Sequence, residues 1–485
     1  MREHILLFVN GQQHRLTGAD AFLTLSNFLR LRLGLCGTKI VCSEGHCGSC
    51  SVLIGRMDRT STPPKLTNNS IDSCIAFVFQ LDGCHVVTVE GLGQEDNLSC
   101  VQQAMVNCHG SQCGFCTPGF VVAMTGLLEE NSSPSESEWR HGLTGNLCRC
   151  TGYSPIIRAG LECSRDDLPS IEDGFASEPI AKLITAAASD EIQITTAPGD
   201  QSSQVLFSPT TIKQAVNFLD KHPVAKIVAG GTDVGVQFNK GYCDATSWLD
   251  LNRITELTDI SVVDGCIVAG ARATWTEVEN LVRELVPEFH NVISVFGSPQ
   301  IRNIGSIGGN IINASPIADS IPFLCVCEAE LELTSQSGTR TVNINDFYHD
   351  YKQFDLNPGE LLSKITIPLP AQNRELRLYK ISRRRDLDIS TFTGAIWIER
   401  DGEIISDAGI ALGAVGPTVL RLPKTEAFLR GQPLSIETMT AAGDIAVTEI
   451  TPISDVRGGA DFRLQLARNV LLKFYHQFNS AEALA

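Results

Sequence analysis

The sequence lacks long apolar runs and has little positive charge. No stretch of 18 consecutive apolar residues occurs, and the N-terminal apolar run, Ile5–Val9, is short. A membrane-spanning helix needs about 20 such residues and the core of a secretion signal about 7 to 15, so we expect neither. The 38 basic residues are outnumbered by 55 acidic ones, and the net charge is −17. This balance disfavours nucleic acid and anionic membranes as partners, and we expect a cytoplasmic protein.

The sequence also lacks the composition of a disordered protein. Hydrophobic residues make up 43% of the sequence and charged residues 19%, as in ordinary globular proteins. The length of 485 residues exceeds that of one common domain, so the sequence predicts two to four domains, each with its own core.

Hydrophobic periodicity predicts an α+β protein divided into five segments. Residues 1–92 combine short strands, a hairpin at Asn10-Gly11 and one helix, a pattern that favours a β-grasp domain. Helical periodicity follows, and then a stretch rich in Asp, Ser, Ala and Pro. The predicted boundaries are 1–92, an all-α domain at 93–164, a linker at 165–204, an α+β domain at 205–374 and a C-terminal α+β subdomain at 375–485.

Cysteine, in contrast, is abundant. Of 17 cysteines, 13 fall within the first 163 residues. A cytoplasmic chain of this length does not need a disulfide scaffold, so clustered thiols indicate metal or redox chemistry. Nine cysteines have no ligand partner at a useful spacing and are interpreted as structural: Cys36, Cys84, Cys100, Cys108, Cys163, Cys243, Cys266, Cys325 and Cys327.

The first cysteine group has the spacing of a plant-type 2Fe-2S ferredoxin. Cys42, Cys47 and Cys50 form C-x4-C-x2-C, and Cys74 supplies a fourth thiol. Gly45 and Gly48 lie inside the motif, where positive φ angles let backbone amides face the sulfur atoms. Zinc sites favour paired C-x2-C units, so the spacing favours an iron–sulfur cluster.

The second group, Cys113, Cys116, Cys148 and Cys150, is ambiguous on spacing alone. C-x2-C followed by C-x-C can hold either a tetrahedral zinc ion or a 2Fe-2S cluster. A thioredoxin-like dithiol is a weaker alternative, because no βαβ pattern surrounds the motif.

Four segments resemble the two-cluster domains of molybdenum hydroxylases. They are residues 37–39, 42–50, 110–119 and 145–153, which read GTK, CSEGHCGSC, GSQCGFCTPG and GNLCRCTGY. The resemblance implies a second 2Fe-2S cluster in a four-helix domain. It also implies that Gln112 and Cys150 lie nearest the molybdopterin.

No G-x-G-x-x-G motif follows a strand, so a Rossmann site is not expected. The sequence instead has two Gly-rich loops, at residues 227–235 and 296–310. Together with SPIAD at 315–319, YKISRRRDLDI at 379–389 and SDVRGGADFR at 454–463, the loops resemble the family's FAD domain, which is of the PCMH/vanillyl-alcohol-oxidase type. The resemblance assigns the dinucleotide to the loop and strand residues, and the isoalloxazine or adenine end to a second set. The first set is Lys226, Ile227, Val228, Ala229, Gly230, Gly231, Thr232, Asp233, Val234, Gly235, Ser306 and Asn310, and the second is Phe296, Asp319 and Lys380.

The resemblance also implies a function. The sequence ends after the flavin region, so the molybdopterin is expected on a larger partner subunit, as in the bacterial xanthine dehydrogenases, with two small and two large chains. Electrons taken from xanthine or hypoxanthine would pass through the second cluster, the first cluster and FAD to NAD. The alternatives are the small subunit of an aldehyde or N-heterocycle hydroxylase, and a free-standing ferredoxin–flavin reductase or redox sensor. The role of Arg383, Arg384 and Arg385 stays open between a solvated face and a subunit contact.

Overall fold

The computed structural model of the protein describes residues 1–58, 65–93, 97–164, 166, 171–175, 177–196 and 203–482. The chain forms two compact units. The first comprises Met1–Glu256 and Gly297–Ser306, and the second comprises Leu257–Phe296 and Ile307–Ala485. Both combine helices with sheets, which confirms the predicted α+β multidomain organisation. Among the described helices, none is long and apolar enough to cross a membrane.

The N-terminal part of the first unit is a five-stranded sheet with one helix. The strands have the order β2-β1-β5-β3-β4. Asn10 and Gly11, with φ angles of 47° and 80°, form the turn between the first two strands, as predicted. The elements are β1 (Ile5–Val9), β2 (Gln12–Leu16), α1 (Leu25–Leu31), β3 (Ser51–Asp58), β4 (Lys65–Asp72) and β5 (Cys84–Val87).

Four helices follow, and they enclose a core of their own around Trp139 and Phe120. Pro118 lies in the first turn of the longest helix, where its missing amide hydrogen costs nothing. The helices are α2 (Cys100–Asn107), α3 (Thr117–Glu130), α4 (Glu136–Gly142) and α5 (Ser154–Leu161).

The rest of the first unit contains a four-stranded sheet of order β6-β7-β9-β8. Its elements are α6 (Ile171–Gly174), α7 (Ser177–Ala187), β6 (Ile192–Thr195), β7 (Val205–Ser208), α8 (Ile212–Lys221), β8 (Lys226–Val228), α9 (Val234–Asn239) and β9 (Ser247–Asp250). Strand β6 lies inside the segment predicted as a linker. Residues 192–195 therefore belong to a sheet, because the alternating burial of Ile192 and Ile194 places them in the core.

The second unit begins with an antiparallel sheet of order β10-β11-β16-β12-β13. The predicted domain at 205–374 is thus divided between the two units, since alternating α and β patterns do not reveal which sheet a strand joins. The elements from here are β10 (Ile260–Val263), β11 (Cys266–Gly270), α10 (Trp275–Leu285), α11 (Pro287–Ile293), α12 (Pro299–Arg302, in the first unit), α13 (Ile307–Asn313), α14 (Ile321–Val326), β12 (Glu330–Ser335), β13 (Gly338–Asn343), α15 (Ile344–Phe347), β14 (Tyr348–Asp350), β15 (Gln353–Phe354) and β16 (Leu361–Pro368).

The C-terminal part of the second unit is a sheet of order β17-β18-β19-β20 packed against helices. Its elements are β17 (Arg374–Ile381), β18 (Phe392–Asp401), β19 (Ile404–Gly413), β20 (Leu420–Arg421), α16 (Pro423–Leu429), α17 (Ile436–Ala446) and α18 (Ala460–Glu482). Ala467, Leu471 and Phe474 are buried along α18 and pack into the core of this part.

Candidate iron–sulfur and flavin sites

The first cysteine group, here called site I, lies on the loop between α1 and β3 and just beyond β4. Hydrogen bonds to the thiols of Cys47 and Cys74 lower the pKa of the Cys42 thiol. The Cys74 thiol in turn hydrogen-bonds to Cys50. Within the described residues, no three of these side chains converge as tightly as a single ion would require. The four thiols form one chain of contacts, from Cys47 through Cys42 and Cys74 to Cys50, and four thiolates are the ligands that a 2Fe-2S cluster requires.

The backbone of site I is shaped by glycine. The amides of Glu44 and His46 donate to the Cys42 sulfur at 3.5 and 3.4 Å. Gly45 and Gly48 have φ angles of 70° and 64°, as predicted. A Cβ on Gly45 would lie 2.7 Å from the Cδ1 atom of Ile75. These glycines allow the chain to wrap closely around the sulfur atoms while its N–H groups face them.

One carboxyl group adjoins site I. Asp72 is buried, and the Cys50 thiol donates to its Oδ1 atom at 3.4 Å. Burial raises the pKa of Asp72 to about 7. The sequence analysis gave this residue no role, and its only signal was an acidic residue two positions before a candidate ligand.

The second group, site II, lies at the start of α3 and on the loop before α5. Hydrogen bonding to Cys113 raises the pKa of the Cys150 thiol, whereas burial, followed by a hydrogen bond to Cys148, raises that of Cys116 to about 12. The Cys148 sulfur also lies 3.2 Å from the Thr151 hydroxyl oxygen. Four thiols therefore come together here too, as the pairs Cys113–Cys150 and Cys116–Cys148, and they fit a 2Fe-2S cluster.

Site II faces solvent on one side. Cys113, Cys150 and Gln112 are exposed, whereas Cys148 is buried. Two large apolar side chains of the same loops are also exposed, Phe115 to 50% and Leu147 to 48%. Two of the four thiols and two apolar side chains of site II are therefore open to solvent.

The loops of the two sites are in direct contact. The Leu147 amide donates to the Cys47 carbonyl oxygen at 3.0 Å, and Asn146 Nδ2 donates to the Gly48 carbonyl oxygen at 3.1 Å. A Cβ on Gly119, at the start of α3, would lie 2.2 Å from the same Gly48 oxygen. A few covalent bonds and one hydrogen bond therefore separate Cys148 from Cys47.

In the first unit, the candidate FAD residues 226–235 form strand β8, a turn and the start of α9. Gly231 has a φ angle of 73°, and a Cβ on Gly230 would lie 2.2 Å from the Ile304 carbonyl oxygen. Lys226 Nζ donates to Gln237 Oε1 at 2.8 Å. Thr232 is half-buried in this turn. Ser306, which is buried, ends this unit.

In the second unit, two of the candidate FAD residues form a buried ion pair. Lys380 Nζ lies 2.6 Å from Asp319 Oδ2 and also donates to Ser390 Oγ and the Asp388 carbonyl oxygen, both at 2.8 Å. Ser390 donates to the other Asp319 oxygen at 2.6 Å. The ammonium group is thus fully hydrogen-bonded within the protein, so it acts through its charge rather than as a free donor.

The remaining candidates of the second unit are Phe296 and Asn310. The Phe296 ring packs edge-on against Trp275, with ring centroids 5.0 Å apart. Asn310 Oδ1 accepts a 2.6 Å hydrogen bond from Ser320 Oγ. That bond fixes the side-chain orientation of Asn310.

A cationic cavity of about 680 Å³ lies in the second unit, between α11, β17, the following loop and α18. Six of its 16 lining residues are lysine or arginine, and among these lining residues Glu288 alone carries a carboxylate. The basic lining residues are Arg377, Lys380, Arg383, Arg384, Arg385 and Lys473. Arg383 to Arg385 thus line a cavity, which the sequence pattern did not indicate.

Known proteins resemble the chain in three consecutive stretches. Residues 88–161 match the family described as "[2Fe-2S] binding domain", and residues 201–370 match "FAD binding domain in molybdopterin dehydrogenase". Residues 377–478 match "CO dehydrogenase flavoprotein C-terminal domain". The first match supports iron–sulfur chemistry rather than zinc at site II.

Curated relatives match along nearly the whole chain. Xanthine dehydrogenase 1 of Arabidopsis thaliana is 30% identical over 99% of this chain and 40% of its own length. Xanthine dehydrogenase of Drosophila pseudoobscura pseudoobscura and aldehyde oxidase 1 of Bos taurus are each 31% identical over 97% of this chain and 39% of their own. The chain thus spans about two-fifths of the length of these relatives.

Solved structures match over slightly more than half of the chain. Carbon monoxide dehydrogenase from Hydrogenophaga pseudoflava has a TM-score of 0.53 and 28% identity, with 55% of this chain and 94% of that chain covered. Quinoline 2-oxidoreductase from Pseudomonas putida 86 has a TM-score of 0.52 and 27% identity, covering 56% and 94%.

Two four-cysteine sites with touching loops, followed by flavin-binding domains, define an iron–sulfur flavoprotein. The chain belongs to the molybdenum hydroxylase family and comprises the electron-transfer part of that family, whose cofactors are 2Fe-2S clusters and FAD.

Proposed function

We propose that the chain is the electron-transfer subunit of a xanthine dehydrogenase, which passes electrons through site II, site I and FAD to NAD. When bound, the clusters each carry one electron and FAD collects two. A larger partner subunit with molybdopterin would oxidise xanthine or hypoxanthine at carbon, with an oxygen atom from water. The observation that carries this proposal is the contact between the two loops, in which Leu147 donates to the Cys47 carbonyl oxygen.

The exposure of site II supports the partner and the direction of transfer. Cys113 and Cys150 reach the surface beside Phe115 and Leu147, whereas Cys47, Cys50 and Cys74 are buried. The exposed site is the natural entry point for electrons from another subunit, and Gln112 lies next to it. The carbon monoxide dehydrogenase chain is matched over 94% of its own length by 55% of this chain, so the matched part is almost a whole chain in that protein, which supports division between subunits. We expect two small and two large chains.

The relatives support xanthine as the substrate, and the positive charge of the cationic cavity supports NAD as the electron acceptor. Xanthine dehydrogenases of a plant and an insect match over 97% or more of this chain. The cationic cavity in the second unit suits an acceptor that carries phosphate groups, as NAD does.

A second candidate is the electron-transfer subunit of an aldehyde oxidase or N-heterocycle hydroxylase. Aldehyde oxidase 1 of Bos taurus matches as closely as the insect xanthine dehydrogenase. The residues of this chain do not select the substrate, because under either proposal the substrate binds to the partner.

The test combines purification with a cysteine variant. The tagged chain, purified from its source, is analysed for copurifying polypeptides, and NAD reduction is then measured with xanthine, an aldehyde and quinoline. We expect a larger molybdopterin subunit and preference for xanthine. Preference for another substrate selects the second candidate, and a lone chain without a partner supports a free-standing reductase or sensor.

Cys148→Ser tests the order of the relay. The hydroxyl rarely ionises and binds iron poorly, so site II is lost while the flavin domains remain. Xanthine-dependent NAD reduction should disappear, whereas NADH oxidation by a dye, which needs only FAD, should persist. Cys163→Ser is the matched control, because the Cys163 thiol donates to the Ala159 carbonyl oxygen at 3.2 Å and a hydroxyl can do the same. Equal loss of both activities in Cys148→Ser, with FAD still bound, contradicts the proposed order.

A further inference from the structure

The side chain of Gln300 joins the loops of both iron–sulfur sites. This glutamine lies on α12, in a segment that belongs to the predicted flavin region by sequence but to the first unit in space. It is completely buried. Its Nε2 atom donates to Asn146 Oδ1 at 2.8 Å and to Ser51 Oγ at 3.3 Å. Asn146 is in the site II loop, and Ser51 directly follows the site I ligand Cys50.

The other hydrogen bonds of Asn146 and Ser51 fix the orientation of the Gln300 amide group. Asn146 Nδ2 donates to the Gly48 carbonyl oxygen at 3.1 Å, and Ser51 Oγ donates to the same oxygen at 2.7 Å. Asn146 Oδ1 has no hydrogen to give, and the Ser51 hydroxyl hydrogen is already used. Only the NH2 group of Gln300 satisfies both, so the network holds a single arrangement.

Two neighbours of Gln300, Ile301 and Asn303, also contact the part of the chain that carries site I. The Ile301 side chain packs with Cys50, Cys74 and Ile75. Asn303 Nδ2 donates to the Ser70 carbonyl oxygen at 2.9 Å. Residues 301 and 303 thus contact the site I cysteines and strand β4, which leads to Cys74.

The same segment reaches the Gly-rich turn of residues 226–235. A Cβ on Gly230 would lie 2.2 Å from the Ile304 carbonyl oxygen and 2.8 Å from the Gly305 Cα atom. The backbones are therefore in close contact, and residues 300–305 connect the loops of sites I and II with a turn assigned to FAD.

We propose that Gln300 is a positioning residue for electron transfer, whose buried amide fixes the spacing of the two cluster loops. The inference rests on the proposed function, because it assumes that electrons pass between the two sites. Leucine or methionine of similar volume would fill the space of Gln300 but leave Asn146 Oδ1 and Ser51 Oγ without their shared donor. Ser51 Oγ would keep its hydrogen bond to the Gly48 carbonyl oxygen, but the buried Asn146 Oδ1 would be left unsatisfied, which favours a shift of the loops or the entry of water.

The test replaces Gln300 by Met in the cluster-loaded chain. Iron and sulfide analysis shows whether both clusters are present, and this measurement does not depend on how Gln300 affects electron transfer. The magnetic interaction between the two reduced clusters is read from electron paramagnetic resonance, and electron exchange between them and FAD is followed after pulse reduction. We expect full iron content, an altered interaction, and exchange at least about tenfold slower, since small misplacements in such sites cost rate steeply. Gln103→Met is the control, because Gln103 is exposed and its side-chain amide donates to Asn107 Oδ1 on its own helix.

A double-variant cycle separates positioning from general stability. Gln300→Met and Asn146→Ala should each slow exchange, and the combined variant should be no slower than the worse of the two, because both break the same network. Unchanged interaction and rate in Gln300→Met, or effects that simply add, would overturn the proposal. If Gln300→Met fails to take up iron, Gln300→Asn, which retains the amide but draws it back, provides the test: slower exchange supports positioning, and wild-type exchange contradicts it.

Discussion

The carbonyl oxygen of Cys47 accepts a 3.0 Å hydrogen bond from the backbone amide of Leu147. Cys47 is a candidate ligand of site I, and Leu147 directly precedes Cys148, a candidate ligand of site II. The bond therefore links the two cysteine sites through backbone atoms, which any replacement of Leu147 except proline leaves in place.

Leu147→Pro removes the amide hydrogen and with it this bond. We expect slower electron exchange between the two clusters, measured after pulse reduction, with iron still bound. Leu147→Ala retains the amide and should exchange electrons at the wild-type rate, although it removes an exposed apolar side chain. Equal exchange in both variants would show that the bond carries no coupling.

Gly48→Ala should destabilise the protein far more than Gly34→Ala, although both glycines have positive φ angles. At Gly48 the φ angle is 64° and a Cβ would lie 2.5 Å from Asn146 Nδ2. At Gly34 the φ angle is 72°, but no atom lies within 4 Å of a Cβ. Gly34→Ala should therefore cost only the backbone term, about 1–2 kcal/mol, whereas Gly48→Ala should also lose iron. Urea unfolding and iron analysis of both variants check this, and equal losses would contradict it.

Lys380→Met should release FAD. The side chains of Lys380 and Asp319 are 6% and 9% exposed, so the variant leaves a buried carboxylate without its cation. Removing one partner of such a pair costs about 3–5 kcal/mol. The control is Arg384→Met, since Arg384 pairs with Asp388 at 3.3 Å but is 72% exposed. Flavin absorbance after gel filtration should fall for Lys380→Met alone, and retention of FAD at the wild-type level would argue against a role for this pair.

His85 predicts a dependence of stability on pH. Burial lowers its pKa to about 4, and its Nε2 atom accepts a 3.0 Å hydrogen bond from the Gly11 amide, which only the neutral ring can do. The folded pKa lies below that of the unfolded chain, so this contribution is complete above about pH 6.5 and is lost as the pH falls towards 4. Between pH 7.5 and 5.5 we expect a loss of about 1 kcal/mol in the free energy of unfolding. In His85→Gln this part of the pH dependence of the free energy of unfolding should vanish. An unchanged pH dependence would exclude His85 as its source.

Local features of the fold were predictable because local chemistry determines them. The Asn10-Gly11 turn, the positive φ angles of Gly45 and Gly48, and the grouping of thiols follow from residue type and spacing. The roles of Gln300 and Asn146 were not predictable, because they are 154 residues apart and their hydrogen bond has no local signal. Strand β6 escaped prediction for the same reason, since its pairing with β7 and its burial come from the rest of the unit.

Cofactor content tests the central claim most directly. The chain, matured in a host that builds iron–sulfur clusters, is analysed for iron, zinc, sulfide and flavin, and its electron paramagnetic resonance is recorded during stepwise reduction. The account predicts about four iron atoms and one FAD per chain, with two distinct 2Fe-2S signals. Zinc at site II, or a single iron–sulfur signal from chains with all eight ligand cysteines intact, would contradict it.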